Sequence, residues 1–428
     1  MQRGKSPILS LRVLALVLGF AAMSAPLFAA SKEKVLYSFC SLNYCVDGEQ
    51  PDAGLVFDPA GNLYGTTYAG GTWDDGVVFQ LAPNHGGWTE KVLHTFNGND
   101  GAGPSANLVL DAAGNLYGTA SEGGSGESVG SVFELVPNHG KWTEKVLHFF
   151  HPKEKDGASP QAGLVWDVSG NLYGTTQFGG AYSSGCTPSG YGCGTVFEMA
   201  LNDGKWTEKV LHSFNGADGA NPQGGLVLDA SGNLYGTTQQ GGAYGYGTVF
   251  ELLPDNGRWT EKVLHSFDLG DGAGPVASLI RDESGNLYGT TWYGGASGSA
   301  CFGYGCGTVF ELMPSRGRWI YKVLHNFYAD TNGYSLPASL TFDQAGNLYG
   351  VTYYGGADGS GCGGYGCGTV FELIPSSGKW TLKVLFSFND ADGGRPWGGL
   401  IFDKGGNLYG TTVLGGAIVA GTVFEITP

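Results

Sequence analysis

The sequence predicts an all-β fold, a seven-bladed β-propeller closed by its own N-terminal strand, and three observations carry that prediction. The pentapeptide GNLYG occurs seven times, beginning at Gly61, Gly114, Gly170, Gly232, Gly285, Gly346 and Gly406. The segments between the copies repeat as well, rich in β-branched and aromatic residues and punctuated by glycine turns, which is the composition of propeller blades. The two ends are complementary: residues 34–39 match the fourth strand of the repeat, and residues 421–425 form a third strand with no fourth after it. Pairing those ends closes the ring and removes two sheet edges that would otherwise invite aggregation.

One repeat, residues 221–267, shows how each element arises. Residues 225–228 are a short apolar strand ended by a D-x-x-G-N turn at Asp229, and residues 233–238 form the second strand. A loop opens at Gln239 and Gln240 ahead of Gly241 and Gly242. Residues 247–252 are the third strand, a turn from Pro254 to Gly257 follows, and residues 259–267 are the fourth. Strands this short stand only when sheets pack face to face.

The first 30 residues fall outside the repeats. Arg3, Lys5 and Arg12 precede an apolar run from Val13 to Met23, and small residues lead to Ala29 and Ala30, the pattern of a cleaved secretory signal peptide. The run is shorter than the roughly 20 residues of a membrane span. The domain expectation is therefore a signal at 1–30 and one propeller at 31–428, secreted or at the cell surface, with no membrane span and monomeric. The chain carries 38 acidic against 22 basic residues, a formal charge of −16. A surface this acidic argues against nucleic acid, whose phosphates need basic patches.

Eight cysteines fall into four close pairs, Cys40 with Cys45, Cys186 with Cys193, Cys301 with Cys306 and Cys362 with Cys367. Even number, short spacing and an export signal predict local disulfides. A metal site built on such pairs needs further cysteine or histidine in tight spacing, and most histidines here share one strand position.

Units such as residues 225–227, Gly232 through Thr238, Gly241-Gly242 and Gly247 through Leu252 resemble the GloVer (Gloeo/Verruco) tandem repeat family of exported bacterial proteins. The resemblance covers the chain after the signal and implies export and a repeat scaffold; it carries no activity. The order of strands and turns is also similar to NHL-type propellers, a more distant likeness that bears on the fold.

Repeated residues read as scaffold. Asp58, Asp111, Asp167, Asp229, Asp282, Asp343 and Asp403 open D-x-x-G-N turns, where aspartate caps backbone N–H groups. Asp47, Asp100, Asp156, Asp218, Asp271 and Asp392 precede a glycine in the interblade loop, and Asn332 replaces them in the sixth unit, so turn geometry outranks charge. No metal or cofactor is expected, with calcium in individual loops kept open, because the dense acidic spacing of a calcium loop is missing. His94, His148, His212, His265 and His325 alternate with Tyr37 and Phe386 at one position, which marks a packing ring. Trp88, Trp142, Trp206, Trp259, Trp319 and Trp380 read the same way.

Function belongs where the repeats differ. The loop between second and third strands varies most in length, carries three of the cysteine pairs, and emerges on the same face as the interblade loop holding Cys40 and Cys45. That face collects Tyr68, Trp73, Phe178, Tyr182, Tyr244, Trp292, Tyr293, Phe302, Tyr353, Tyr354 and Trp397. Aromatics beside amides and carboxylates suit the stacking faces and hydroxyls of a glycan, or a protein partner. The expected function is thus a secreted scaffold binding an extracellular glycan or protein on its disulfide-bearing face. The alternatives are a polysaccharide hydrolase or lyase, which would need symmetry-breaking residues such as Arg281, Arg395 or the insertion at 151–155, and a purely structural surface protein. No nucleophile–base set or paired-carboxylate signature appears, and the catalytic residues stay unassigned.

Overall fold

The computed structural model describes residues 31–428 other than 127, 183–185, 187–190, 297–300, 302, 330–331 and 357–360, together with Met1. The chain divides between Ala30 and Ser31. The expected signal segment and Phe302 lie outside the described residues.

Seven antiparallel sheets form the ring, the seventh a five-stranded sheet whose outer strand is the N-terminal one and the other six meanders of four strands in chain order. In the fourth blade these are Val227–Leu228, Leu234–Thr238, Thr248–Asp255 and Arg258–Ser266. The first strand is shorter than expected, and the residues before it line the central channel instead. The third strand is longer, because the expected turn at Pro254 is a strand position paired with Trp259. The second strand pairs only as far as Leu252, so beyond it no neighbour asks Pro254 for an N–H, which is where a sheet tolerates proline.

The ring closes through Lys32–Ser38, which pairs antiparallel with Thr422–Thr427 from Lys32 opposite Thr427 to Ser38 opposite Thr422. This strand begins two residues before the repeat match at Lys34. The seventh blade thus takes its outer strand from one end of the chain and its other strands from the far end.

Sequence pattern becomes packing through two phenylalanines per repeat. Phe214, just after a fourth strand, meets Phe250 on the third strand of the next blade, and the same pair recurs in all seven gaps at centroid separations of 4.9 to 5.3 Å. The tip of the third-strand ring, Cζ and Cε1, lies against the last glycine of LYG on the second strand. A Cβ on Gly236 would stand 2.5 Å from Phe250 Cζ, and the other six blades give 2.5 or 2.6 Å, so the repeat glycine is there for close approach. Threonine hydroxyls then tie blade to blade: Thr237 donates to the Ala277 carbonyl of the next blade at 3.0 Å, and Thr411 donates to Ala53 at 2.8 Å across the closure.

Two outcomes test this architecture. Deleting residues 32–38 leaves the Thr422–Thr427 edge unpaired, so the variant is expected to lose cooperative melting or to self-associate; a monomer melting like the parent would contradict closure. Phe150→Ala removes a fully buried ring and should lower stability by about 3–5 kcal/mol in a denaturant titration.

Candidate functional site at the channel mouth

Each interblade loop ends in a left-handed residue, Gln50, Gly103, Ser159, Asn221, Gly274, Ser335 or Arg395, with φ between +53° and +60°. Proline follows in six blades and Leu336 in the sixth. The next residue takes six identities across the seven blades, and six of these residues, Asp52, Ser105, Gln161, Gln223, Val276 and Trp397, line the mouth of the channel with Tyr68. Below them the channel encloses about 270 Å³ between the first-strand segments of all seven blades. Isolated bridges such as Ala220 to Gln240 and Ala273 to Tyr293 join the interblade loop to the loop between second and third strands. The mouth therefore opens on the face that carries the four disulfides, all formed.

The mouth is polar on one side. Burial pushes the Asp52 carboxyl up to about 7, and its Oδ1 is buried without a hydrogen-bond partner. Gln223 Nε2 donates to Gln239 Oε1 at 3.3 Å, and Tyr68 donates its hydroxyl proton to Glu122 at 2.6 Å. The opposite side is aromatic. Trp292 stands 5.3 Å from Tyr353 and 5.1 Å from Trp397, with Tyr353 and Trp397 5.4 Å apart. Tyr354 packs edge-on against Tyr353 at 4.7 Å, Tyr293 lies 6.0 Å from Trp292, and all five rings are partly buried. The Arg395 guanidinium sits 5.6 Å from the Tyr353 ring centre and 5.7 Å from that of Tyr354, within cation–π range. Arginine at a left-handed backbone position is a strained choice where other blades use Gly, Ser, Asn or Gln.

The expected aromatic face thus resolves into unequal parts. Trp292, Tyr293, Tyr353, Tyr354 and Trp397 come together beside the channel, and Tyr68 joins the mouth from the other side. Trp73, Tyr182 and Tyr244 stand apart and exposed, and Phe178 is taken up in a short ladder with Ala158. Arg281 pairs with Leu287 at the turn end of its blade, the end opposite the loop face. Sequence reasoning missed Asp52, Ser105, Gln161 and Gln223. Their signal was available as the most variable position between the loop proline and the invariant leucine.

A model of the Gloeobacter/Verrucomicrobia repeat matches residues 27–189, 187–362 and 302–428, which together span the propeller. The chain belongs to the Gloeobacter/Verrucomicrobia repeat family. None of the curated proteins matches it. Among solved structures it is similar to the extracellular domain of a putative one component system from B. thetaiotaomicron. That match has 12% identity and a TM-score of 0.53 over 91% of this chain and 39% of the other, so this chain spans about two-fifths of that protein. It is also similar to a putative 6-phosphogluconolactonase from Bacteroides fragilis, with 18% identity and a TM-score of 0.50 over 84% of this chain and 88% of the other. At such identity these likenesses show the propeller fold alone.

In this Gloeobacter/Verrucomicrobia repeat protein the repeated residues do what turn chemistry asks. Asp229 Oδ1 accepts the Asn233 N–H at 2.9 Å, its Oδ2 accepts from Asn233 Nδ2 at 3.0 Å and from the Tyr235 hydroxyl at 3.2 Å. Burial alone would raise this carboxyl, but the donated bonds together hold it below the ordinary range. The repeated tryptophans pack on those tyrosines, as Trp259 does on Tyr173 at 6.2 Å.

The histidines need a correction. Their rings do pack, each edge-on to the phenylalanine two residues later at 4.7 to 4.9 Å. However, Nε2 of His148, His212 and His265 also lies 2.8 to 3.2 Å from the aspartate of the loop that follows. That aspartate therefore serves as more than a turn former. The constant six-residue step from His212 to Asp218 and from His265 to Asp271 was the sequence signal.

One position of the fourth strand in the next blade supplies Glu144, Glu208 and Glu261 against the pairs of His94, His148 and His212, and Glu33 and Glu90 against Asp392 and Asp47, which have no histidine. Burial, the main cause in each case, pushes all five up to about 7. Between the ordinary carboxyl value and about 7 the folded protein holds protons that the unfolded chain has released. Stability from these groups and Asp52 is therefore full at the acid end of that window and is lost as pH rises through it. Melting temperature in chelator-containing buffer should fall from about pH 5 to about pH 8, and Glu144→Gln with Glu208→Gln should flatten the slope. A profile that rises across this range would contradict the assignment.

Proposed function

We propose that the channel mouth binds an extracellular glycan, acting outside the cytoplasm as a secreted recognition scaffold. The observation that carries this is the juxtaposition of Trp292, Tyr353 and Trp397 with the polar group of Asp52, Gln161 and Gln223 around a single opening. The partly exposed rings offer faces on which sugar C–H groups stack, and the amides and carboxylate match hydroxyls that no apolar pocket could satisfy. Export is supported by the N-terminal basic and apolar segment and by four disulfides, which persist in oxidising compartments. Among the described residues no helix is long and apolar enough to cross a membrane.

One observation favours a second reading, a hydrolase or lyase acting at the same opening. Asp52 is a lone carboxyl held near neutrality, where a general acid or base works best. Glycosidases use two carboxyl groups, and Asp52 is the one acidic residue among the described residues lining the mouth and channel. Binding without turnover is therefore the favoured reading.

A glycan array probed with the chain from residue 31 tests both. Binding is expected on at least one class of polysaccharide, reduced tenfold or more by Trp292→Ala and by Trp397→Ala, and unchanged by Trp73→Ala, whose exposed ring stands away from the mouth. Binding that survives loss of both tryptophans would remove the site from the mouth. Product release from a bound glycan that Asp52→Asn abolishes would establish the enzyme reading, and an empty array would leave the scaffold with a protein partner or none.

A further inference from the structure

A second constellation lies in the gaps between blades, built from the outer strands and away from the channel. Between the second and third blades His148 Nε2 is 2.8 Å from Asp156 Oδ2, and Glu208 faces them from the third blade. Between the third and fourth, His212 Nε2 is 3.2 Å from Asp218 Oδ2, and Glu261 takes the facing place. In each trio one donor atom from every residue lies within 4.8 Å of the other two. Oε1 of Glu208 and of Glu261 is buried and has no hydrogen-bond partner.

We propose that His148–Asp156–Glu208 and His212–Asp218–Glu261 each bind a divalent first-row transition cation, with zinc as the fitting probe, and so tie adjacent blades together. One imidazole with two carboxylates is a donor set for such ions, and imidazole selects them over calcium and magnesium. Zinc bonds of about 2.0–2.2 Å in a tetrahedron place donors roughly 3.3 Å apart. The His–Asp pairs already approach that separation, and rotation of the glutamate brings in the third donor. A fourth position stays open to water because the histidine and aspartate side chains are partly exposed.

The chain contains its own control. In the next gap Tyr321 stands where the glutamate would be, stacked on His265 at 3.9 Å with its hydroxyl donating to the Asp271 carbonyl at 2.8 Å. In the gap after that, Leu382 replaces the glutamate and Asn332 the aspartate, so both carboxylates are lost together. The fold therefore accommodates a ring or an aliphatic side chain here. The buried, unpartnered Oε1 recurs at Glu33, Glu90 and Glu144, but only at Glu208 and Glu261 among the described residues do an imidazole and a second carboxylate lie close enough to share a cation with it. The two remaining cysteine-containing groupings of potential ligands, Cys40–Cys45–Glu49 and Cys362–Cys367–Asp390, have their sulfurs engaged in disulfides.

The test uses the chain from residue 31, stripped with chelator and titrated with zinc by calorimetry, with bound metal counted by elemental mass spectrometry. Saturable uptake is expected with a rise in melting temperature, since an ion that binds only the folded state stabilises it. Glu208→Leu should lose one equivalent relative to the parent, Glu261→Leu another, and the double variant both. In chelator the double variant should melt no lower than the parent, because Leu382 shows the substitution fits. Should a leucine variant fail to fold, Glu208→Gln keeps the size and is expected to lose the same equivalent. No zinc uptake by folded protein would overturn the proposal, as would uptake unchanged in the double variant, or calcium binding at these residues in place of zinc.

Discussion

Everything in this molecule depends on the phenylalanine pair that joins each blade to the next. One ring comes from the segment just after a fourth strand and the other from the third strand of the following blade. Both are fully buried, and the second is admitted only because a glycine on the second strand leaves room beneath it. A four-stranded meander has no core of its own, so the hydrophobic burial that stabilises a blade is shared across two gaps. This makes the ring mutual. Opening one gap exposes two faces at once, and the blade assembled from both ends of the chain is held by the same phenylalanine contacts as the others.

That constraint also decides where chemistry can reside. The strands, the D-x-x-G-N turns and the interblade phenylalanines cannot vary without loss of packing, which leaves the interblade loop and the loop before the third strand. The two loops are joined by backbone bridges on one face and stiffened there by disulfides. A single variable residue after each proline is carried to the channel mouth by a left-handed turn, so seven copies of one scaffold yield an asymmetric opening. The aromatic side draws on the fifth, sixth and seventh blades, and the polar side on the first four.

The outer gaps obey the same logic at another radius. The histidine is placed by its packing against the phenylalanine two residues on, and this points Nε2 at the loop aspartate. The next blade then delivers a glutamate to the same spot, or a tyrosine or leucine where the charge is absent. Ring packing and ligand geometry are thus two uses of one side chain.

Sequence alone determined the blade count, the closure by the N-terminal strand, the pairing of the cysteines and the structural duty of Asp58 and its six counterparts. Each of these is written in local periodicity or in spacing of a few residues, and local sterics and turn chemistry read such signals directly. Strand ends were less legible: Pro254 looked like a turn because its tolerance depends on a neighbour that stops at Leu252. Tertiary structure alone decided which aromatics meet, gathering Trp292, Tyr353 and Trp397 while leaving Trp73 and Tyr244 apart. It also set Asp52 beside Gln161 and Gln223, and Glu208 against His148. Those groupings join residues from different blades, and the distance between them is fixed by the radius and curvature of the closed ring, which no single repeat contains.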